Sequence, residues 1–313
     1  MTFSFNVKDE VTRLESSKPE CIAELSAIIR NSSLIDDNIV IHIENNAVAR
    51  RIYKLVKSIY SVTPIITVRK KFFSVGLSYI LTIKHKQEEI LKDLSIIDND
   101  NNYLIIPKEY IISDEEEVRA YLRGLFMASG SVNDPKKSRY HLEFVVNNIE
   151  YANFVKKLLD SFNLNAKVIK RTKNYTVYVK EAEKISDFLR VIKAYNAVMY
   201  FEDIRIYRDH KNMTNRLNNC EQANVDKIIL TSSSQIKDIE KLKEYDMIDL
   251  LDEKIQELIG YRLKYPESSL QELSEIISLE TGNKITKSGL NHRFRKIKEI
   301  VNNLEKKEKD SNK

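Results

Sequence analysis

One order of elements is spelled out twice in this chain, and that repetition constrains the fold more than any other feature. Apolar residues Ile22, Leu25, Ile28 and Ile29 recur at helical spacing through residues 20–32. A β-branched run follows at 38–44, then an amphipathic stretch over 47–60, strand-like segments at 65–70 and 79–84, and a short helix at 88–94. After the polar residues 98–102 the same order returns. Ser113 and Glu116 form a capping box for a helix that runs to Ser129. A turn at Asp134-Pro135 leads to a strand at 140–146, a helix at 149–162, two strands at 166–171 and 175–180 joined by a Thr172–Asn174 hairpin turn, and a helix at 181–192. The pattern predicts an α+β fold: an αββαββα-like unit, duplicated. Setting Ala27 against Gly124, 97 positions later, places Ser32 opposite Ser129. Small residues at Ala27 and Gly124 suit two helices packed closely, since interaxial distance follows the side chains at the contact.

The remaining third changes character. Residues 195–219 are mixed and basic, 218–224 read as a polar helix segment or connector, and Thr231–Ser234 reads as the cap of a helix over 235–245. A further helix spans 250–265 and stops at Pro266. Ser269 and Glu272 form a second capping box, opening a helix with Leu270, Leu273, Ile276 and Ile277 inward. Gly282 marks a break, read as 278–285, and Thr286 can cap the next helix. There Leu290, Phe294, Ile297, Val301 and Leu304 make one apolar stripe, while Ser288, His292 and Arg295 lie opposite it, flanked by Asn291 and Lys296. Two helices about a short break, the second polar and basic at its start, form a helix-turn-helix, whose second helix enters the major groove. Arginine suits guanine and asparagine suits adenine, whereas Lys287, Arg293 and Lys298 are placed to meet phosphates. The competing reading is an amphipathic surface helix with solvated lysines.

With 313 residues, 42% hydrophobic and 31% charged, the chain has room for two to three globular domains. A formal net charge of +5 permits nucleic-acid binding without requiring it, so charge placement decides. Cys21 and Cys220 stand far apart without metal-ligand spacing and read as reduced thiols. No basic-then-apolar leader is present, and the longest apolar-rich stretch, 75–83, is far short of the ~20 residues that span a bilayer. The expectation is a cytoplasmic, nucleoid-associated chain with no membrane contact, no metal and no cofactor.

The stretch Tyr121-Leu122-Arg123-Gly124-Leu125-Phe126-Met127-Ala128-Ser129-Gly130-Ser131-Val132 resembles the signature helix of the LAGLIDADG homing endonucleases, whose glycine lets two such helices pack closely. In that family the position of Ser129 is a catalytic aspartate, and a serine cannot hold a divalent cation as a carboxylate does. Asn133-Asp134-Pro135, Asn218–Asn224 and Ser269 through Lys298, especially Lys287-Ser288-Gly289-Leu290-Asn291-His292-Arg293, extend the likeness. Together they resemble the WhiA family of bacterial regulators, which join a degenerate LAGLIDADG-like domain to a C-terminal helix-turn-helix. One departure is Ser32-Ser33, where a glycine is expected at the end of the first helix.

The resemblance implies a duplicated saddle followed by an all-α helix-turn-helix domain. The expected division is 1–97 and 114–200 for the halves, 98–113 as linker, 201–234 as connector, 235–305 as the helical domain and 306–313 as tail. It also implies a non-enzymatic, sequence-specific DNA-binding regulator of transcription, acting in cell division and chromosome segregation, with sporulation roles in some lineages. Its partners are double-stranded DNA and other transcription or division proteins. Ser32 and Ser129 are the degenerate catalytic positions, and Ala27 and Gly124 the helix-packing ones. The DNA-contacting set is Ser269, Thr286, Lys287, Ser288, Asn291, His292, Arg293, Arg295, Lys296 and Lys298, with Lys167, Lys170, Arg171, Lys173 and Lys180 as secondary contacts from the second sheet. Strand lysines also protect exposed edges, so that second set has two readings. Two alternatives compete: an active endonuclease using Asp36, Asp37 or Asp134, and a scaffold whose N-terminal domain binds a protein.

Overall fold

Each N-terminal half is a long helix running into a four-stranded antiparallel sheet that two further helices support. In the computed structural model, which describes residues 2–35, 38–70, 76–137 and 139–311, the first half comprises α2 (Lys18–Arg30), β1 (Ser33–Ile35), β2 (Asn38–Ile43), α3 (Asn46–Tyr60), β3 (Ile65–Lys70), β4 (Leu77–Ile83) and α4 (Gln87–Asp93). A short helix, α1 (Phe3–Val11), precedes it. The second half repeats the order with α5 (Glu115–Ser129), β5 (Gly130–Val132), β6 (Leu142–Val146), α6 (Ile149–Ser161), β7 (Lys167–Lys170), β8 (Tyr175–Val179) and α7 (Ala182–Val191). The sheets share one topology, β1-β2-β4-β3 and β5-β6-β8-β7. Asp36, Asp37 and Val75, all singled out in the sequence, lie outside the described residues.

The duplication is thus as expected, with additions. β1 and β5 are three residues each and begin where the preceding helix ends, too short for an alternation signal to form. α1 carries Phe3, Val7 and Val11 buried at four-residue spacing, and the Thr2 hydroxyl accepts from the Phe5 N–H. The second capped helix starts one residue later than read: Asp114, not Ser113, is the N-cap, and Glu117, not Glu116, completes the box. Ser113 adds its own N–H and hydroxyl to the Glu117 carboxylate, at 2.7 and 2.6 Å.

α2 and α5 pack against each other at the centre of one core that includes Leu25, Ile28, Leu122, Leu125 and Phe126. Gly124 is indispensable to that contact, because a Cβ there would stand 2.2 Å from the Glu24 carbonyl oxygen. Its neighbour is therefore Glu24 rather than Ala27, which is itself fully buried. The two helices also end differently. α5 continues to Ser129 and Gly130 opens β5 directly, whereas α2 stops at Arg30 with Asn31 as C-cap, its Nδ2 donating to the Ala27 carbonyl at 2.8 Å.

Residues 98–113 are packed rather than slack. Ile97 bridges Tyr103, Ile111 is buried, and the Arg30 guanidinium donates to the carbonyls of Ser95, Leu104 and Ile105. The chain divides into two compact units, Met1–Asp209 and His210–Lys313. The expected connector at 201–234 is helical throughout, part of α8, which runs unbroken from Tyr195 to Glu244. Thr231 and Ser232 do not cap a helix there but turn their hydroxyls back to the carbonyls of Lys227 and Ile229. The second unit then adds α9 (Glu253–Lys264), α10 (Leu270–Thr281) and α11 (Lys287–Ser311) around Leu242, Leu258, Leu273, Leu290, Phe294 and Ile297. The expected tail from residue 306 is helical as far as Ser311.

Candidate nucleic-acid interface

α10 begins as read, with Ser269 and Glu272 in a reciprocal capping box, and ends on Gly282 in the left-handed conformation at φ 69°. The break between the helices is therefore Gly282–Thr286, shorter than the 278–285 read from the sequence, because α10 continues to Thr281. The Thr286 hydroxyl caps α11 by accepting from the Gly289 N–H at 3.2 Å. On α11 the apolar stripe is inward: Leu290, Phe294, Ile297 and Val301 are buried, and Leu304 packs beside them.

The opposite face is open. Ser288, His292 and Arg295 are exposed, as are Lys287, Asn291, Lys296 and Lys298 on its flanks. His292 and Arg295 carry no hydrogen bond or ion pair to any described residue, so their donors are available to a ligand. The flanks differ. Asn291, Arg295 and Lys298 line a cleft with Ser234, Gln235 and Asp238 of α8. Arg293 is half-buried on the other side, its guanidinium 3.4 Å from the Lys254 carbonyl. Ser269 and Thr286 use their hydroxyl oxygens as helix caps.

On the second sheet, alternation sorts the five basic residues. Leu142, Phe144, Val146, Val177 and Val179 face the core, so Glu143 and Tyr178, and Lys167 opposite Tyr178, lie on the open face. Arg171 joins them, 3.5 Å from Glu143, and the Lys180 ammonium sits over the Tyr178 ring at 4.9 Å. Lys170 pairs with Tyr175 on the helix side, and Lys173 is in the hairpin turn. The second sheet's open face also holds the exposed Ile169 and Val145, and the first sheet's holds Ile35 and Ile65, half-exposed, beside His42, Thr67 and Arg69.

At the ends of the central helices, the Ser32 hydroxyl donates to the Ile29 carbonyl at 2.6 Å and the Ser129 hydroxyl to Leu125 at 3.4 Å. Asp134 accepts from the Lys136 N–H in its own turn. Among the described residues no three His, Cys, Asp or Glu side chains gather as a metal site would require. No described helix is long and apolar enough to cross a membrane.

Three family models cover most of the chain: the WhiA N-terminal LAGLIDADG-like domain over 19–97, the WhiA LAGLIDADG-like domain over 118–211, and the WhiA C-terminal HTH domain over 214–301. The chain belongs to the WhiA family. It is 44% identical over 312 residues to the "Probable cell division protein WhiA" of Bacillus cytotoxicus, covering 97% of each chain. It is 42% identical over 310 residues to the protein of that name from Ligilactobacillus salivarius, again 97% of each. The crystal structure of full-length DUF199/WhiA from Thermatoga maritima aligns at 26% identity and a TM-score of 0.59, over 97% of this chain and 99% of that one. The WhiA LAGLIDADG-like and HTH assignments thus match the two units described above.

Sequence reasoning missed three things here. Glu24 is fully buried and accepts from Arg123 Nε at 2.9 Å and from Arg51 Nε at 2.9 Å, a pairing that joins the two WhiA halves and leaves no local pattern. Lys8 lies over the Phe126 ring at 5.5 Å, and burial lowers its pKa to about 8 against the pull of Glu44. Arg262 is buried without a carboxylate; its spacing from Leu258 and Ile259 on the apolar face of α9 was the available signal.

Proposed function

We propose that this chain is a sequence-specific double-stranded-DNA-binding regulator of transcription, acting in cell division and chromosome segregation at the nucleoid, and that it does not cut DNA. The observation that carries this is the outward face of α11, where Ser288, His292 and Arg295 stand exposed and unpaired beside Lys287, Lys296 and Lys298. Side chains of those types read base edges, while lysines set register on phosphates. The name of the WhiA relatives supports the cellular role. Ser32 and Ser129 spend their hydroxyls on their own helices, which favours a non-catalytic saddle. Selection from random duplexes tests the reading. One motif of defined length should be enriched, and that duplex should stay intact with Mg²⁺ or Mn²⁺. No enrichment, or specific nicking, would overturn it.

A second role for the N-terminal unit is favoured by the first sheet. Its open face sets Ile35 and Ile65, each about half exposed (49% and 50%), beside Arg69, whereas the second sets Lys167, Arg171 and Lys180 beside the exposed Ile169 and Val145, so the two faces differ in charge and not in apolar surface. In this reading the second sheet, with Lys167, Arg171 and Lys180, contacts DNA while the first takes a protein of transcription or division.

A further inference from the structure

Arg262 is a buried cation that the second unit gives no carboxylate, only the face of the Phe294 ring, 5.5 Å from its guanidinium carbon, and backbone carbonyls. Its residue is 1% exposed, and among the described residues no carboxylate pairs with it and its Nε has no hydrogen-bond partner. One Nη donates to the carbonyls of Ser268 and Tyr265 at 2.7 and 3.3 Å, which fixes the guanidinium one residue from the N-cap of α10. Removing a charge from water without a counter-charge is costly, so such a group ordinarily finds an anion.

A cavity of about 400 Å³ lies there, lined by Arg262, Ser268, Leu270, Gln271, Lys227 and Lys287 among others. At the N-terminus of α10 two of the amide groups are spoken for: Ser269 N–H donates to Glu272 Oε2 and Glu272 N–H to the Ser269 hydroxyl. The N–H groups of Leu270 and Gln271 have no acceptor among the described residues. Two free amides at the positive end of a twelve-residue helix, with three cations around them, form a site for a group with several anionic oxygens. A planar carboxylate has too few oxygens to meet donors arriving from α8, α9, α10 and the start of α11.

We propose that this cavity binds a phosphate group, held by the Leu270 and Gln271 amides, with Arg262 at its wall and Lys227 and Lys287 at its rim. The phosphate is either a backbone phosphodiester of DNA or that of a small phosphorylated ligand. The proposal rests on the second unit alone and stands whether or not the chain binds DNA.

The test is a titration of the full ¹⁵N-labelled protein with inorganic phosphate, following the Leu270 and Gln271 amides and the Arg262 Nε–H. All three signals should shift together and saturate. Gln271→Glu should weaken the binding roughly tenfold; because it also replaces the Gln271–Glu275 hydrogen bond with a like-charge pair one turn apart, Gln271→Ala, which loses the same bond without adding charge, should stay within about twofold of the parent. Lys287→Gln should weaken it less. Absent shifts at these three groups, or shifts unchanged in Gln271→Glu, would overturn the proposal. Adding duplex DNA to the phosphate-loaded protein identifies the source. Displacement of phosphate assigns the site to the DNA backbone, and joint binding assigns it to a free phosphorylated ligand; both uphold the site. If no duplex binds while phosphate still saturates, the DNA-binding function falls and this inference remains.

Discussion

Glu24 accepts from two guanidinium groups, one from each half of the N-terminal unit, and the Ser16 hydroxyl oxygen accepts from Arg123 Nη2 at 2.9 Å. Removing the acid leaves Arg51 without its carboxylate and Arg123 with only the more distant Glu20, 3.9 Å away, so Glu24→Ala should cost about 3–5 kcal/mol in urea unfolding. A loss below ~1 kcal/mol would mean that water reaches the guanidiniums. Lys8 works in the opposite sense. Its folded pKa of about 8 lies below the ordinary 10.5, so the unfolded chain binds more protons between those values and stability rises with pH across that window. Lys8→Met should therefore raise the melting temperature at pH 7, and the gain over the parent should shrink as the pH passes 8 towards 10.5. A constant gain would assign the effect to packing. Neither residue announced itself in the sequence, because burial of a charge depends on what the rest of the chain brings over it.

For helices, what was legible followed from period and punctuation. α3, β3 and α11 begin within a residue of where spacing and caps put them, since each has an apolar stripe or β-branched run and a terminal signal. α8 was misread because it is polar over most of its surface, and such a helix has no stripe to find. The signal it does carry is the absence of any glycine or proline between Pro135 and Gly260. Close packing of α2 on α5 leads to a sharp expectation. Gly124→Ala should push the helices apart at the Glu24 carbonyl and cost roughly 1–3 kcal/mol, as overpacking does, with Gly124→Leu costing more. A variant as heat-stable as the parent would contradict the 2.2 Å approach. On α11, Arg295→Ala should lose ~1–3 kcal/mol on the selected site and relax one base position. Lys287→Ala should weaken all duplexes alike and lower the salt slope by about one. Equal effects of both on all sequences would make α11 a phosphate-tracking helix.

At the level of the molecule, the doubled element order made the fold class readable, while the unlike surfaces of the two sheets could be seen only once register assigned each side chain a face. If the second unit reads sequence, a chain ending at Asp209 should keep only weak, salt-sensitive binding that does not distinguish the selected duplex from others. Full specific affinity in that shortened chain would transfer the reading to the saddle. The joining of both halves in one polypeptide has a consequence of its own. Arg123 has no counterpart 97 positions earlier, where Ser26 donates to the Leu94 carbonyl instead, and the two sheets carry different charge on their open faces. Had the halves been two copies of one gene product, every change would have appeared on both sides. Fused, they diverged independently, and a surface with unlike ends can tell the two directions along a linear partner apart, which two identical halves about a two-fold axis cannot do.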